Sequence, residues 1–203
     1  MSELLNKDGL TEAEFLARYD ASKFERPSVT VDIIIIRDGE VLLIRRGNHP
    51  SLGKLAFPGG FVEPNDTVPA AAVRELYEET GLSAHNYRQL GCFSKPDRDP
   101  RTRIITVPFL ADVEKGALPK ADDDAADASF FPFSVKKMPI GKDTLYEITV
   151  NDNGKRLSTK VKKSFDKDGV FAFPSYEVIG ESFFAGDHAA IFCEALDELE
   201  KNK

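Results

Sequence analysis

Cysteine is scarce in this chain: of 203 residues only Cys92 and Cys193 carry thiols. Two cysteines cannot make a disulfide framework. Each lies among apolar neighbours and reads as a small buried hydrophobe, with a cytoplasmic setting as the expectation. No apolar run approaches the ~20 residues of a membrane span, so no membrane partner is expected. The opening, MSELLNKDGL, lacks a basic stretch followed by an apolar one, so no secretory signal is read there. Basic residues are outnumbered, 27 Lys and Arg against 34 Asp and Glu, for a net charge of -7. That balance argues against non-specific nucleic-acid binding, and on its own against a polyphosphate substrate. The 41% apolar and 30% charged content is that of a soluble globular protein. The length suits one large domain, or a domain with an appendage.

Punctuation along the chain divides it into elements. Residues 11–19 read as a short amphipathic helix with Thr11 at its N-cap and Glu14 three residues on. Residues 28–36 (SVTVDIIII) read as a largely buried strand, and Asp38-Gly39 turns it back into a partner over 41–45. Residues 46–60 are a Gly- and Pro-rich loop. Residues 67–80 are the clearest helix, with Asp66 or Thr67 as cap, Pro69 in the first turn and Gly81 beyond the end. Strands follow at 86–93 and 104–111, where Pro108 suggests an edge or a bulge. ADDDAAD at 121–127 reads as a solvated acidic loop. Asn151-Asp152-Asn153-Gly154 signals a hairpin between 144–150 and 156–165, and 187–201 an amphipathic helix. The expected fold is α/β with a mixed sheet. Residues 1–27 form a helical lead-in, and 28–203 one domain carrying an extra hairpin at about 141–168.

The helix 67–80 carries Glu75, Glu78 and Glu79 at i, i+3 and i+4, on one face. Ala72, Val73 and Leu76 are expected to pack inward from the other. Like charges at this spacing repel, and hard cations bind clustered carboxylate oxygens. Gly59-Gly60 precedes the helix, where a missing side chain admits close approach of backbone to a ligand or metal. Arg74 can pair with a neighbouring carboxylate through its planar fork.

Residues 60–82, GFVEPNDTVPAAAVRELYEETGL, resemble the Nudix box. Gly60, Arg74, Glu75, Leu76, Glu78, Glu79, Gly81 and Leu82 match in register, and Asp66 stands where the pattern has Glu. The resemblance implies a Nudix-type α/β/α sandwich and a Nudix pyrophosphohydrolase acting on a nucleoside diphosphate linked to another moiety. It implies a divalent cofactor, Mg²⁺ or Mn²⁺, held by Glu75, Glu78, Glu79 and the Gly59 carbonyl, with Arg74 orienting a glutamate. Glu75, Arg74 and Glu79 are then the catalytic set. Such ions neutralise the diphosphate, activate a bound water and clamp the reacting oxygens.

Flanking segments resemble the ADP-ribose-hydrolysing group: 27–37, 44–62, 94–103 (SKPDRDPRTR) and Phe184-Ala185-Gly186-Asp187-His188. The expected reaction is hydrolysis of ADP-ribose to AMP and ribose 5-phosphate. The alternatives are a triphosphate or 8-oxo-dGTP sanitising enzyme, and an ADP-ribose-sensing regulator. The segment 94–103 sets Lys95, Arg98, Arg101 and Arg103 against Asp97 and Asp99, and arginine forks suit phosphate. Arg101, Arg103 and Arg46 are the substrate-binding candidates, with Phe57, Phe61 or Phe93 as an apolar clamp for adenine, Phe57 first. Candidate general bases are Glu177, Glu181 and Glu75. His49, His85 and His188 read as structural, with Asp187 as cap of the last helix. Relatives pair through the N-terminal strand, which makes a homodimer the expected assembly.

Overall fold

The structure, a computed structural model, describes residues 4–120, 125–165 and 174–201. Thr11 and Glu14 form a reciprocal capping box at the start of α1 (Glu12–Arg18), which buries none of its residues. β1 (Ser28–Ile34) and β2 (Ile36–Arg37) lead to β3 (Glu40–Arg46) through a turn at Asp38 and Gly39 with φ of 49° and 81°. Positive φ at both central positions is the twist that a two-residue hairpin needs. β4 (Leu55–Ala56) pairs with β3. α2 (Val68–Thr80) starts on the Thr67 side chain, which accepts from Ala70 N, and ends at Gly81 in the left-handed region. Then come β5 (Ala84–Gln89), β6 (Ile104–Val113), β7 (Ala125–Ile140), β8 (Asp143–Asp152), β9 (Lys155–Phe165), β10 (Pro174–Ile179) and α3 (His188–Lys201).

Two sheets result. One is mixed, order β1-β6-β5, with β6 parallel to β1 and antiparallel to β5. The other is antiparallel and seven-stranded, order β10-β9-β8-β7-β3-β2 with β4 beside β3. Alternate residues of β1 and β3 feed two cores. Val31, Ile33 and Leu42 join Ala71, Ala72 and Leu76 of α2. Ile34, Val41 and Leu43 join Ile191, Phe192 and Ala195 of α3. The layers form an α/β/α sandwich, and among the described residues no helix is long and apolar enough to cross a membrane.

Several expectations need correction. The hairpin 151–154 forms, with Asn153 and Gly154 at φ of 50° and 87°. Its strands β8 and β9 lie between β7 and β10 in the larger sheet. β7 hides behind Pro132 and Pro139, residues that argue against a strand. Asp127 of the expected acidic loop already pairs with Arg45 in β7, while 121–124 fall outside the described residues. Pro108 lies in the central strand of the mixed sheet, where the pairing of β5 runs out at Gln89 and Leu90 N donates to the Pro108 carbonyl. Val73 is exposed, since the buried stripe of α2 runs through Ala71, Ala72 and Leu76. Cys92 is exposed and only Cys193 is buried.

Candidate active site

Arg74 organises the acidic face of α2. Its Nη1 donates to Glu75 at 2.7 Å and Glu78 at 2.9 Å, its Nε to Asp66 at 3.0 Å, and its Nη2 to the Phe61 carbonyl at 2.9 Å. Burial alone would lower the guanidinium pKa, but these three carboxylates raise it. Asp66, the one departure from the box pattern, therefore spends its charge on Arg74, and Thr67 takes the cap. Glu79 points the other way and accepts from Gly59 N at 2.8 Å. Burial pushes its pKa up to about 8, the Gly59 hydrogen bond opposes this, and the charges of Glu75 and Asp32 add to it. Burial also raises Glu75. Both glycines are needed for closeness: a Cβ on Gly59 would strike the Val31 carbonyl, and one on Gly60 the Glu75 carboxylate.

These groups line a cleft of about 530 Å³. Glu75, Glu79 and Gly59 face it, while Glu78 lies outside it with a side chain 56% exposed. Arg46 lines the cleft and donates from Nε to the Pro50 carbonyl, while Arg45 on the opposite face pairs with Asp152. Arg101 lines it too, held by Asp99 and 5.5 Å from the ring of Phe61 at the rim. The Arg101 hydrogen bond holds Asp99 below its ordinary pKa. Arg103 is turned away onto the Lys95 carbonyl and is not part of the cleft wall. Phe57 reaches the cleft but is 1% exposed, packed among Phe184, Phe192 and His188. Among the candidate bases, Glu177 pairs with Lys162 on the far sheet and Glu181 is exposed away from the cleft.

Four further residues line the cleft: Arg98, Asp187 and His188 stood in segments already marked but not as site candidates, and Asp32 was not singled out. Arg98, with a side chain 7% exposed, makes a two-pronged pair with Asp187 at 2.7 and 2.8 Å. Asp187 is thus an arginine clamp and does not use its side chain as the expected cap. Asp32 is buried on β1 and accepts from Thr106 Oγ1 at 2.6 Å. His188 accepts from Phe57 N through Nδ1 at 3.0 Å and faces Asp32 with Nε2 at 3.6 Å. One signal was present: Asp32 is the only charged residue in SVTVDIIII.

The donor set suits a hard cation. Glu75, Glu79 and Glu63 bring carboxylate oxygens to one cleft, and the burial that penalises charge on Glu79 and Glu75 is offset when a cation sits among them. Among the described residues no three Asp, Glu, His or Cys stand close enough to hold an ion as placed, because Arg74 draws Glu75 and Glu78 to itself.

Residues 26–147 match the model of the NUDIX domain. An ADP-ribose pyrophosphatase of Methanocaldococcus jannaschii is 47% identical over 121 residues, covering 58% of this chain and 71% of that one. A MutT/nudix family protein of Enterococcus faecalis superposes over 95% of this chain and 70% of its own, with a TM-score of 0.70 and 30% identity. The NUDIX domain of Shewanella oneidensis NrtR, solved with ADP ribose, superposes over 61% of this chain and 84% of its own, at a TM-score of 0.55 and 32% identity. A matched domain spanning more than half the chain, laid over an Arg74-centred carboxylate helix, makes this protein a member of the NUDIX family of pyrophosphohydrolases.

Proposed function

We propose that this protein hydrolyses the diphosphate of ADP-ribose, or of a close nucleoside diphosphate derivative, giving AMP and ribose 5-phosphate. The observation that carries the reading is the two-sided cleft. Glu75 and Glu79 form one wall, and Arg46 and Arg101 bring positive charge to the others, with Arg98 beside them held on Asp187. Its relatives support the choice of substrate: one is an ADP-ribose pyrophosphatase, and another was solved with ADP ribose. Mg²⁺ or Mn²⁺ would be held by Glu75, Glu79 and the Gly59 carbonyl, and by Glu78 only on release from Arg74, which holds it outside the cleft. When bound, such an ion supplies charge neutralisation at the diphosphate and an activated water.

The chain's own residues do the rest. Arg74 holds Glu75 and Glu78 in place from behind. Gly59 N fixes Glu79. Arg46 and Arg101 are placed to bind phosphate oxygens, which orients the diphosphate. Glu75, being the candidate base that lines the cleft, is the one suited to take a proton from attacking water. The free cysteines fit a cytoplasmic setting, and assembly as a homodimer belongs to the same reading, to be tested by analytical ultracentrifugation. Incubating the purified chain with Mg²⁺ and a panel of nucleoside diphosphate derivatives tests the activity. AMP and ribose 5-phosphate should appear fastest from ADP-ribose. Intact ADP-ribose beside rapid turnover of a nucleoside triphosphate would move the assignment to a sanitising enzyme. Tight ADP-ribose binding with no turnover of any diphosphate would make the chain a sensor.

A further inference from the structure

Asp32 and His188 are a pair with unused hydrogen-bonding capacity inside the cleft. Asp32 is 7% exposed, on the central part of β1, and one of its oxygens is satisfied by Thr106, itself fully buried on β6. The other, Oδ1, stands 3.6 Å from His188 Nε2, too far for a direct hydrogen bond. His188 opens α3, and its Nδ1 accepts from the Phe57 backbone N–H. That acceptor role leaves the proton of the neutral ring on Nε2, facing Asp32 and the cleft. The Phe57 ring stacks on the imidazole, 5.6 Å between centroids and 20° from parallel, so the ring orientation is fixed. Among the described residues neither Asp32 Oδ1 nor His188 Nε2 makes another hydrogen bond, and Asp32 lies near enough to Arg98 for their charges to attract.

Asp32 Oδ1 and His188 Nε2 therefore stand side by side on the cleft wall, where one bound group can complete both. The completing group must donate to Asp32 and accept from His188 at adjacent positions. A vicinal diol does this: one hydroxyl donates to Oδ1, and its neighbour accepts from Nε2–H. A phosphate oxygen does not, because it has no proton for Asp32 and would be repelled by it.

We propose that Asp32 and His188 form a diol-recognition subsite that selects a pentose carrying both hydroxyls. The proposal rests on the reading of the chain as a hydrolase of nucleoside diphosphate derivatives, and it names the part of the substrate that this wall of the cleft reads. The pair is built on two rigid elements, β1 and the start of α3, which gives it a fixed spacing. Arg98 and Glu79 border the same cleft, so a pentose held here lies beside the diphosphate.

The test is a matrix of enzymes against substrates. The enzymes are the unmodified chain, His188→Asn and Asp32→Asn. Asparagine at 188 keeps an acceptor near the position of Nδ1 for Phe57 N and removes only the outer N–H. The substrates are ADP-ribose and analogues lacking one hydroxyl from either pentose. With the unmodified chain, removing a hydroxyl from one pentose lowers kcat/KM roughly ten- to hundredfold. Each variant slows ADP-ribose by a similar factor and loses discrimination against that analogue. A purely structural pair gives a different pattern: every substrate slows by the same factor and discrimination survives, which overturns the subsite. Indifference of the unmodified chain to every hydroxyl overturns it without any variant. If ADP-ribose is left intact and another nucleoside diphosphate sugar is hydrolysed, the substrate assignment above fails. The same matrix run on that sugar then decides the subsite separately.

Discussion

Glu79 and Gly60 show how little room the site leaves around its carboxylates. Glu79 is half-buried, bonded to Gly59 N, and raised to about 8. The Glu79→Gln side chain keeps the size and can still accept from Gly59 N, while removing the charge that a cation needs. Turnover should fall by roughly two to three orders of magnitude, the scale of losing one electrostatic group at a reacting centre. Because a pKa raised to about 8 leaves little charge on Glu79 to lose at neutral pH, the melting temperature should hold. A steady-state assay beside a thermal melt checks both, and unchanged kcat would remove Glu79 from the ion-holding set. Gly60→Ala is the steric counterpart. Its Cβ would overlap the Glu75 carboxylate, so either Glu75 or the loop must shift. Activity should drop at least tenfold, since misplacing a catalytic group by an ångström has effects of that size or larger. Wild-type kinetics in Gly60→Ala would mean that Glu75 can be displaced without consequence.

At the scale of elements, one side chain of α3 gathers four strands of the large sheet. Asp197 accepts from Lys137 of β7, Tyr146 of β8, Lys163 of β9 and Tyr176 of β10, one donor from each strand. Burial alone would raise its pKa, but these four donors hold it at about 2 against an ordinary 3.8. The sign follows from the depression: the stabilisation is present above the ordinary value and is lost as pH falls toward 2. It amounts to about 2 kcal/mol at neutral pH. Asp197→Asn should lose about 2–4 kcal/mol at pH 7, and its deficit should shrink between about pH 4 and pH 2. Urea melts of both proteins across that range check it. A deficit that does not change with pH would mean that the charge does not matter. None of this was legible in the sequence, because residues 137, 146, 163 and 176 share no local pattern. β7 was also hidden, its prolines outweighing a pairing that only β3 and β8 reveal. By contrast the ends of α2 were legible, since Thr67, Pro69 and Gly81 are local signals that act where they stand, while its inward face was misread at Val73.

Over the whole molecule, the cleft was half legible for the same reason. The box supplied Arg74, Glu75 and Glu79 from consecutive turns of one helix. Arg98 and Asp187 lie 89 residues apart, and Asp32 and Thr106 lie 74 apart, so only the folded sheet brings them together. The segment 94–103 is clipped onto α3 by Arg98–Asp187, with Gly91 N on Glu194 and Arg88 on Glu198 preceding it. The site therefore exists only when α2, β1, this segment and α3 are all in place. The two cores cannot separate either. Val31 and Ile33 face the core of α2 while Ile34 of the same strand faces that of α3, and Leu42 and Leu43 divide in the same way. Melting either core strips one side of β1 and β3 and exposes fully buried side chains on both. Unfolding should thus be one cooperative transition, with far-ultraviolet circular dichroism, near-ultraviolet tyrosine signals and loss of pyrophosphohydrolase activity sharing a midpoint. Activity lost well below the melting of secondary structure would show that α3 and its clipped segment detach first, leaving β1 and β3 supported by α2 alone.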